Sequence, residues 1–179
     1  MFKDQGDVAT GWDIAKMSLE RKGEVSVLVS APGDQRAAAL SRNGRWMAYE
    51  SNESGRFEIY IRPFPNVTGD RFQVSRRGGV HPLWSPDGRE LFYVEPSDSP
   101  GLMSVRIDIQ STKVTLGSTN RLFDWPYFTG NIRGYDVTQS PDGTRFLAIT
   151  QATGASTTRP RIVVVENFFP ELQRLTPKN

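Results

Sequence analysis

Cysteine is absent from the 179 residues of the chain, and histidine occurs only once, at position 81. The first absence excludes disulfide bonds, thiolate metal sites and cysteine catalysis, and the second excludes a metal centre built on several histidines of one chain. The sequence also has no Gly-x-Ser-x-Gly nucleophile elbow, no glycine-rich phosphate loop, no His-Glu-x-x-His motif and no Asp-rich calcium loop. We therefore expect a protein that is not an enzyme and that holds neither a metal nor a cofactor.

Long apolar runs and charge of one sign are also missing. No 18-residue apolar segment occurs, and the residues after Met1 contain no apolar core of a signal peptide, so we expect no direct membrane insertion. Lysine and arginine number 22 against 20 aspartates and glutamates, the net charge is +2, and the two signs are interspersed. The sequence thus has no basic stripe of the kind that binds nucleic acid, and we expect no nucleic-acid partner.

What the chain does contain is one short turn in three copies. Residues 41–44 read Ser-Arg-Asn-Gly, and residues 85–88 and 140–143 both read Ser-Pro-Asp-Gly. In such a turn proline presets φ, while Asp or Asn and then Gly allow a tight reversal into the apolar strand that follows. Strand-rich repeats of about 50 residues are typical of β-propellers, with one repeat per blade. The sequence therefore predicts an all-β fold, a partial β-propeller of about three to four blades, each a four-stranded antiparallel sheet.

Apolar positions that recur after each turn predict the extent of the blades. We expect strands near residues 45–50, 57–63, 89–94, 101–107, 144–149 and 161–166. They divide a single propeller segment at 11–175 into a partial blade at 11–30, full blades at 35–77 and 79–124, and a partial blade at 134–168. Thr138 and Gln139 are inserted before the third turn, where we expect a β-bulge or a longer first strand.

Five segments carry a resemblance to a known family. Together and in this order they resemble the TolB-like propeller repeats, and most closely the C-terminal propeller half of many bacterial serine/threonine protein kinases. The resemblance covers nearly the whole chain, from about residue 11 to residue 175. It implies a propeller of six blades or more, of which this chain supplies roughly half. The chain departs from the pattern at Arg42 and Asn43, which replace Pro-Asp. The segments are residues 39–65, 71–79, 82–94, 134–150 and 162–175.

Two functions follow as hypotheses. The first is a non-catalytic interaction module that binds a protein or peptide partner at the channel mouth or at an open strand edge. The second, implied by the resemblance, is an extracytoplasmic sensor portion related to propeller-bearing kinases and detached from its kinase domain. That family context implies a periplasmic or extracytoplasmic location, whereas a chain complete as printed would be cytoplasmic. A catalytic propeller is the weakest alternative, because the sequence has one histidine and no paired channel carboxylates.

Candidate ligand-binding residues lie where the first strand of each blade begins. In propellers this strand lines the central channel, and its start faces one channel mouth. The polar residues near these starts either form a shared pocket for a peptide or small anionic ligand, or have only structural roles. In the structural alternative, Asp136 pairs with Arg133 or Arg36, and His81 caps a strand before Pro82. The candidate residues are Arg36, His81, Arg133, Tyr135 and Asp136.

The strand edges at the two ends of the chain predict an assembly. The first unit has only two predicted strands and the last has three, and unpaired edges of this kind promote association. A homodimer arranged head to tail would cover both ends and close a ring of roughly six to eight blades. The alternatives are an open monomer whose tail covers the edge, or a piece of a longer protein.

Overall fold

The computed structural model describes residues 11–110, 113–127, 130 and 132–150, together with the backbone of 162–165. These residues form thirteen strands and no helix. The strands make four antiparallel sheets, of two, four, three and four strands, so the predicted fold class, an all-β partial propeller, is confirmed. In the described part of the chain nothing has the length and apolarity of a membrane-crossing helix. The chain divides into two compact units, between Pro82 and Leu83.

The first unit contains a hairpin and a four-stranded sheet. β4 lies inside this sheet and all six of its residues are buried. Ile14 and Val29, which pair at one end of the hairpin, pack with Met47, Tyr49 and Tyr60 in one apolar core. The hairpin is thus attached to the sheet at that end. The strands are β1 (Ile14–Ser18) and β2 (Glu24–Val29) in the hairpin, and β3 (Gln35–Leu40), β4 (Trp46–Ser51), β5 (Glu58–Pro63) and β6 (Phe72–Gln73), which neighbour one another in chain order.

The later strands form a second four-stranded sheet and a three-stranded sheet, again with neighbours in chain order. Aromatic rings join these two sheets inside the second unit. The ring of Phe146 lies 5.0 Å from that of Phe92 and 5.8 Å from that of Phe123, and the rings of Trp125 and Tyr135 are 5.1 Å apart. The strands are β7 (Val80–Trp84), β8 (Glu90–Glu95), β9 (Gly101–Gln110) and β10 (Lys113–Asp124), then β11 (Tyr135–Ser140), β12 (Gly143–Ile149) and β13 (Ile162–Val165).

The strands that the repeats predict are all present, as β4, β5, β8, β9, β12 and β13. The largest difference in their ends is at β9, which continues to Gln110 instead of ending at residue 107. The segments 151–161 and 166–175 lie outside the described residues. The exact boundaries of the predicted blades therefore stay a prediction.

The first two repeated turns are built from the same hydrogen bonds. The Ser85 N–H donates to the Glu90 carbonyl, and the Glu90 N–H donates to the Ser85 hydroxyl oxygen, both at 2.9 Å. Asp87 Oδ1 accepts from the Ser85 hydroxyl at 2.6 Å and from the backbone N–H two residues later at 3.0 Å. The first turn repeats each of these bonds, with Ser41 and Asn43 in the same positions. Asn and Asp are therefore interchangeable here, because both offer the accepting oxygen.

The third turn is tighter, and it corrects one expectation. Ser140 pairs with Gly143, and Phe146 pairs with Val137. If the third turn were paired like the first, with the two serines aligned, Gln139 would lie opposite Phe146 instead. The pairing is displaced by two residues. Since side chains alternate with a period of two, an even displacement leaves every side chain on its own face. The bulge predicted at Thr138 and Gln139 is not formed, because the register between β11 and β12 is continuous. The alternative prediction, a longer first strand, holds in comparison with β7, which has five residues against six in β11, but not in comparison with β3, which also has six.

Candidate functional site

A β-bulge in β3 brings Arg36 and Glu50 opposite each other. The register between β3 and β4 shifts between Arg36 and Ala39, and Ala37 within this step has a φ of 52°, in the left-handed region. An extra residue bends a strand and redirects the side chains beside it. Arg36 then pairs with Glu50 across the ladder, so the two side chains lie on the same face of the sheet.

The Glu50 carboxylate joins two of the predicted site residues. Arg36 Nε lies 2.5 Å from Glu50 Oε1, and the Glu50 side chain is fully buried. Its second oxygen, Oε2, accepts a hydrogen bond from the His81 backbone N–H at 2.7 Å. A buried carboxylate is stable only when it is paired and hydrogen-bonded. Both requirements are met here, so Glu50 fixes the position of Arg36 and of the start of β7.

His81 lies inside β7, as its second residue, and does not cap the strand. Its side chain is buried, with Nδ1 at 4.0 Å from Glu50 Oε2, and its φ is 59°. A non-glycine residue in this left-handed region stores about 1–3 kcal/mol of strain and persists only where its surroundings hold it. The hydrogen bond from the His81 N–H to Glu50 is one such restraint.

The Arg36 guanidinium is held on two sides and is still open to solvent. Its Cζ lies 4.0 Å from the centre of the Phe57 ring, a cation–π contact, while Nε is bonded to Glu50. The side chain keeps 26% of its surface exposed. Its Nη1 and Nη2 groups make no hydrogen bond within the described part of the chain. We call Arg36, Glu50, Phe57 and His81 the Arg36 cluster.

The other three predicted site residues lie together in the second unit, at the start of β11. Arg133, Tyr135 and Asp136 line a cavity of about 220 Å³, with Leu147 and Ile149 among the apolar residues that complete it. Arg133 and Asp136 are exposed, whereas Tyr135 is buried. The cavity is therefore lined by both charged and apolar side chains.

The ion pair expected between Asp136 and either Arg133 or Arg36 is not formed among the described residues. Asp136 Oδ1 accepts instead from the Val137 N–H, at 2.9 Å, and Arg36 pairs with Glu50. The structure therefore places two of the five candidate residues around one carboxylate and the other three around one cavity. Ligand binding by these five residues stays a prediction.

Sequence reasoning missed Glu50 and Phe57, which complete the Arg36 cluster. A signal for Glu50 exists in the printed sequence. It is an acidic residue in the otherwise apolar run Trp-Met-Ala-Tyr-Glu, where burial would force it to find a partner. Nothing in the sequence indicates Phe57, because its contact with Arg36 depends on the bulge.

A second buried carboxylate, Glu58, has a structural role. It accepts from Arg56 Nε at 2.6 Å, from the Gly78 N–H at 3.1 Å to each oxygen, and from the Ser75 hydroxyl. These bonds fasten the segment after β6 to β5, and they use the acceptor capacity of the carboxylate. No group of three or more metal-ligating side chains occurs in the parts of the chain that the structure describes.

Comparison with known proteins identifies the fold. No protein-family model and no curated protein sequence matches the chain. Among solved structures it is similar to TolB from Acinetobacter baumannii, with 19% identity and a TM-score of 0.55 over 88% of this chain and 40% of that one. It is also similar to a putative TolB from Agrobacterium tumefaciens, with 21% identity and a TM-score of 0.50 over 63% of this chain and 41% of that one.

These similarities concern the fold and only part of each TolB structure. The chain spans about two fifths of the length of either protein. The repeated turns, the antiparallel sheets and the two TolB structures agree on one architecture. The chain has a TolB-like β-propeller fold, of which it forms a part.

Proposed function

We propose that this chain is a non-catalytic interaction module that binds an acidic segment of a protein or peptide partner through Arg36. The observation that supports the proposal is that the Arg36 guanidinium is held in a fixed position and is still partly exposed to solvent. Its Nε is bonded to a fully buried carboxylate, its plane rests on Phe57, and a quarter of its surface remains exposed.

The exposed part of Arg36 is suited to a carboxylate. A guanidinium binds carboxylates through two parallel N–H donors, and the Arg36 Nη groups are the donors left over after Nε has bonded to Glu50. Because the side chain is already fixed, binding costs less side-chain entropy than it does for a free surface arginine. The partner group is an Asp or Glu side chain, or the C-terminal carboxylate of a peptide.

A peptide-display selection tests this function. Random peptides are selected on the wild-type protein, and the affinities of the selected peptides are then measured for Arg36→Gln. We expect enrichment of Asp and Glu and binding at least ten-fold weaker to the variant, about 1.4 kcal/mol. Arg21→Gln is the matched control, because it removes the same charge from an exposed arginine in the ion pair with Glu24. Peptides without acidic enrichment, or equal loss in both variants, would contradict the proposal.

The second candidate function is the sensor portion of a propeller-bearing protein kinase. The order of the repeated segments between residues 39 and 175 supports it, through their resemblance to the propeller half of such kinases. A kinase domain and a membrane-spanning segment encoded upstream in the same reading frame are the expected result. A gene that encodes this segment alone would remove this candidate and leave the interaction module.

A further inference from the structure

The β1–β2 hairpin exposes one apolar face. Met17 pairs with Val25 and Ala15 with Val27, so these four side chains lie on the same side of the hairpin. Met17 is 66% exposed, and Val25 and Val27 are each exposed by about three fifths. A two-stranded hairpin is only marginally stable by itself in water. Its apolar face is therefore a surface that gains from being covered.

The β11–β12 hairpin has an uncovered face as well. Phe146 and Ala148 are buried on one side of β12, whereas Leu147 and Ile149 point to the opposite side and are 41% and 51% exposed. A cavity of about 300 Å³ opens beside Leu147. The outer neighbour of β12 is β13, and the pairs between them within the described residues run from Phe146–Val165 to Ile149–Ile162.

The two hairpins are complementary halves of one blade. In both four-stranded sheets the strand after the repeated turn is the second strand, and the next two strands in the chain are the third and fourth. β11 and β12 flank the third repeated turn and are therefore a first and a second strand. β1 and β2 precede a complete sheet, and the sequence around β1 is similar to that of the third strands. The β11–β12 hairpin supplies the two inner strands of a blade, and the β1–β2 hairpin supplies the two outer strands.

We propose that a second copy of the chain completes this blade, with β1 of one copy pairing with β12 of the other in the place that β13 occupies. Each copy carries both hairpins, so every copy offers the surface that complements the other copy. Two copies related by a two-fold axis therefore complete each other at two places, and their two shared and four complete blades make six, within the range of roughly four to eight that propellers contain. Each uncovered apolar face then meets a blade of the other copy.

The proposal specifies a register that can be tested. β1 begins with Ile14, as β13 begins with Ile162. If Ile14 takes the position of Ile162, which pairs with Ile149, then Lys16 takes the position of Val164, which pairs with Leu147. Lys16 and Leu147 are both exposed in the chain. Substituting them does not disturb the core, and the natural sequence has no cysteine to interfere.

Cysteine cross-linking between two variants is the experiment. Lys16→Cys and Leu147→Cys are purified separately, mixed, exchanged and oxidised under mild conditions. We expect a disulfide-linked species of twice the chain mass from the mixture and none from either variant alone. Lys22→Cys mixed with Leu147→Cys is the matched control, because Lys22 lies in the exposed turn between β1 and β2 and should not cross-link.

Light scattering of the unmodified protein at tens of micromolar gives an independent reading, with twice the chain mass expected. Equal cross-linking in both mixtures would mean association without the proposed register. No cross-linking, together with the mass of one chain, would mean that the exposed faces belong to a monomer or to further blades of a longer protein. Either result overturns the proposal.

Discussion

At the scale of single residues, two backbone positions beside the Arg36–Glu50 ion pair are conformationally strained, and the surrounding contacts offset this strain. Ala37 and His81 both have positive φ, and they flank the same ion pair, one through the bulge in β3 and the other through its N–H. Strain of this kind gathers at sites where a side chain must be held in one place. Here the side chain that is held is that of Arg36.

The strain at Ala37 predicts a stabilising substitution. Left-handed φ costs an alanine about 1–2 kcal/mol, whereas glycine adopts it freely and loses about 0.5–1 kcal/mol through the entropy of the unfolded chain. Ala37→Gly should therefore raise the free energy of unfolding by about 0.5–1 kcal/mol, measured as a higher urea midpoint at unchanged slope. Ala38→Gly is the control and should lower it, because Ala38 has no positive φ. Equal losses in both variants would contradict this account.

The second turn predicts a dependence on pH that the first turn lacks. The Ser85 hydroxyl, followed by the Arg89 backbone N–H, holds the pKa of Asp87 below its ordinary value of 3.8. A carboxyl whose pKa is lowered by folding stabilises the fold above its unfolded pKa, and this contribution is lost as the pH falls through the folded pKa. We expect the stability difference between wild type and Asp87→Asn to shrink as the pH is lowered through 4 and below.

The first turn supplies the reciprocal experiment. Asn43 accepts the same bonds as Asp87 and does not titrate. Asn43→Asp should therefore add stability that disappears on acidification, over the same interval in which Asp87→Asn removes it. Urea unfolding at several pH values from 3 to 7 measures both. Parallel curves for wild type and the two variants would show that these side-chain oxygens do not titrate with folding.

At the scale of strands and turns, the junction after β6 depends on the absence of a side chain at Gly79. A Cβ there would lie 2.7 Å from Ile59 Cγ1 and 2.7 Å from Ser75 Oγ. Ser75 Oγ also accepts from the Ile59 N–H at 2.8 Å and donates to Glu58. A clash at this point would displace the atoms that fasten the segment to β5.

Gly79→Ala should therefore lower the free energy of unfolding by about 1–3 kcal/mol, the usual cost of overpacking a buried site. Gly69→Ala is the matched control. The nearest atom to its new Cβ would be Pro63 Cγ at 3.4 Å, an ordinary contact, so we expect a change within about 0.5 kcal/mol. Thermal unfolding of the two variants measures the difference. Similar midpoints would mean that the junction yields without cost.

The strands could be predicted from the sequence because their signals are local. Each repeated turn carries its own hydrogen-bonding residues, and each following strand carries its own apolar pattern. Pairing register is different in kind, because it depends on residues far apart in the chain. The partner of Arg36 is Glu50 because of a bulge at Ala37, a residue with no bulge signature in the sequence. At the third turn the sequence shows the two inserted residues, Thr138 and Gln139, but it does not show that the pairing accommodates them without a bulge.

At the scale of the whole molecule, two strands compete for the outer edge of β12: β13 of the same chain and, in the proposed dimer, β1 of the other copy. β13 pairs there along Phe146 to Ile149, and in the proposed dimer β1 takes the same edge. Weakening β13 should then favour association. Successive N–H groups of a strand point to opposite edges, so either Val163→Pro or Val164→Pro must remove a donor that faces β12.

Sedimentation equilibrium of the two proline variants measures this competition. The variant that loses the donor should dimerise with a dissociation constant about ten-fold lower than that of wild type, since the released edge no longer has to be vacated before β1 can pair. Lys113→Pro is the control, because it places proline on β10, the outer strand of another sheet, and should leave the dissociation constant unchanged. If both β13 variants dimerise more weakly than wild type, β13 supports the assembly and β1 does not replace it.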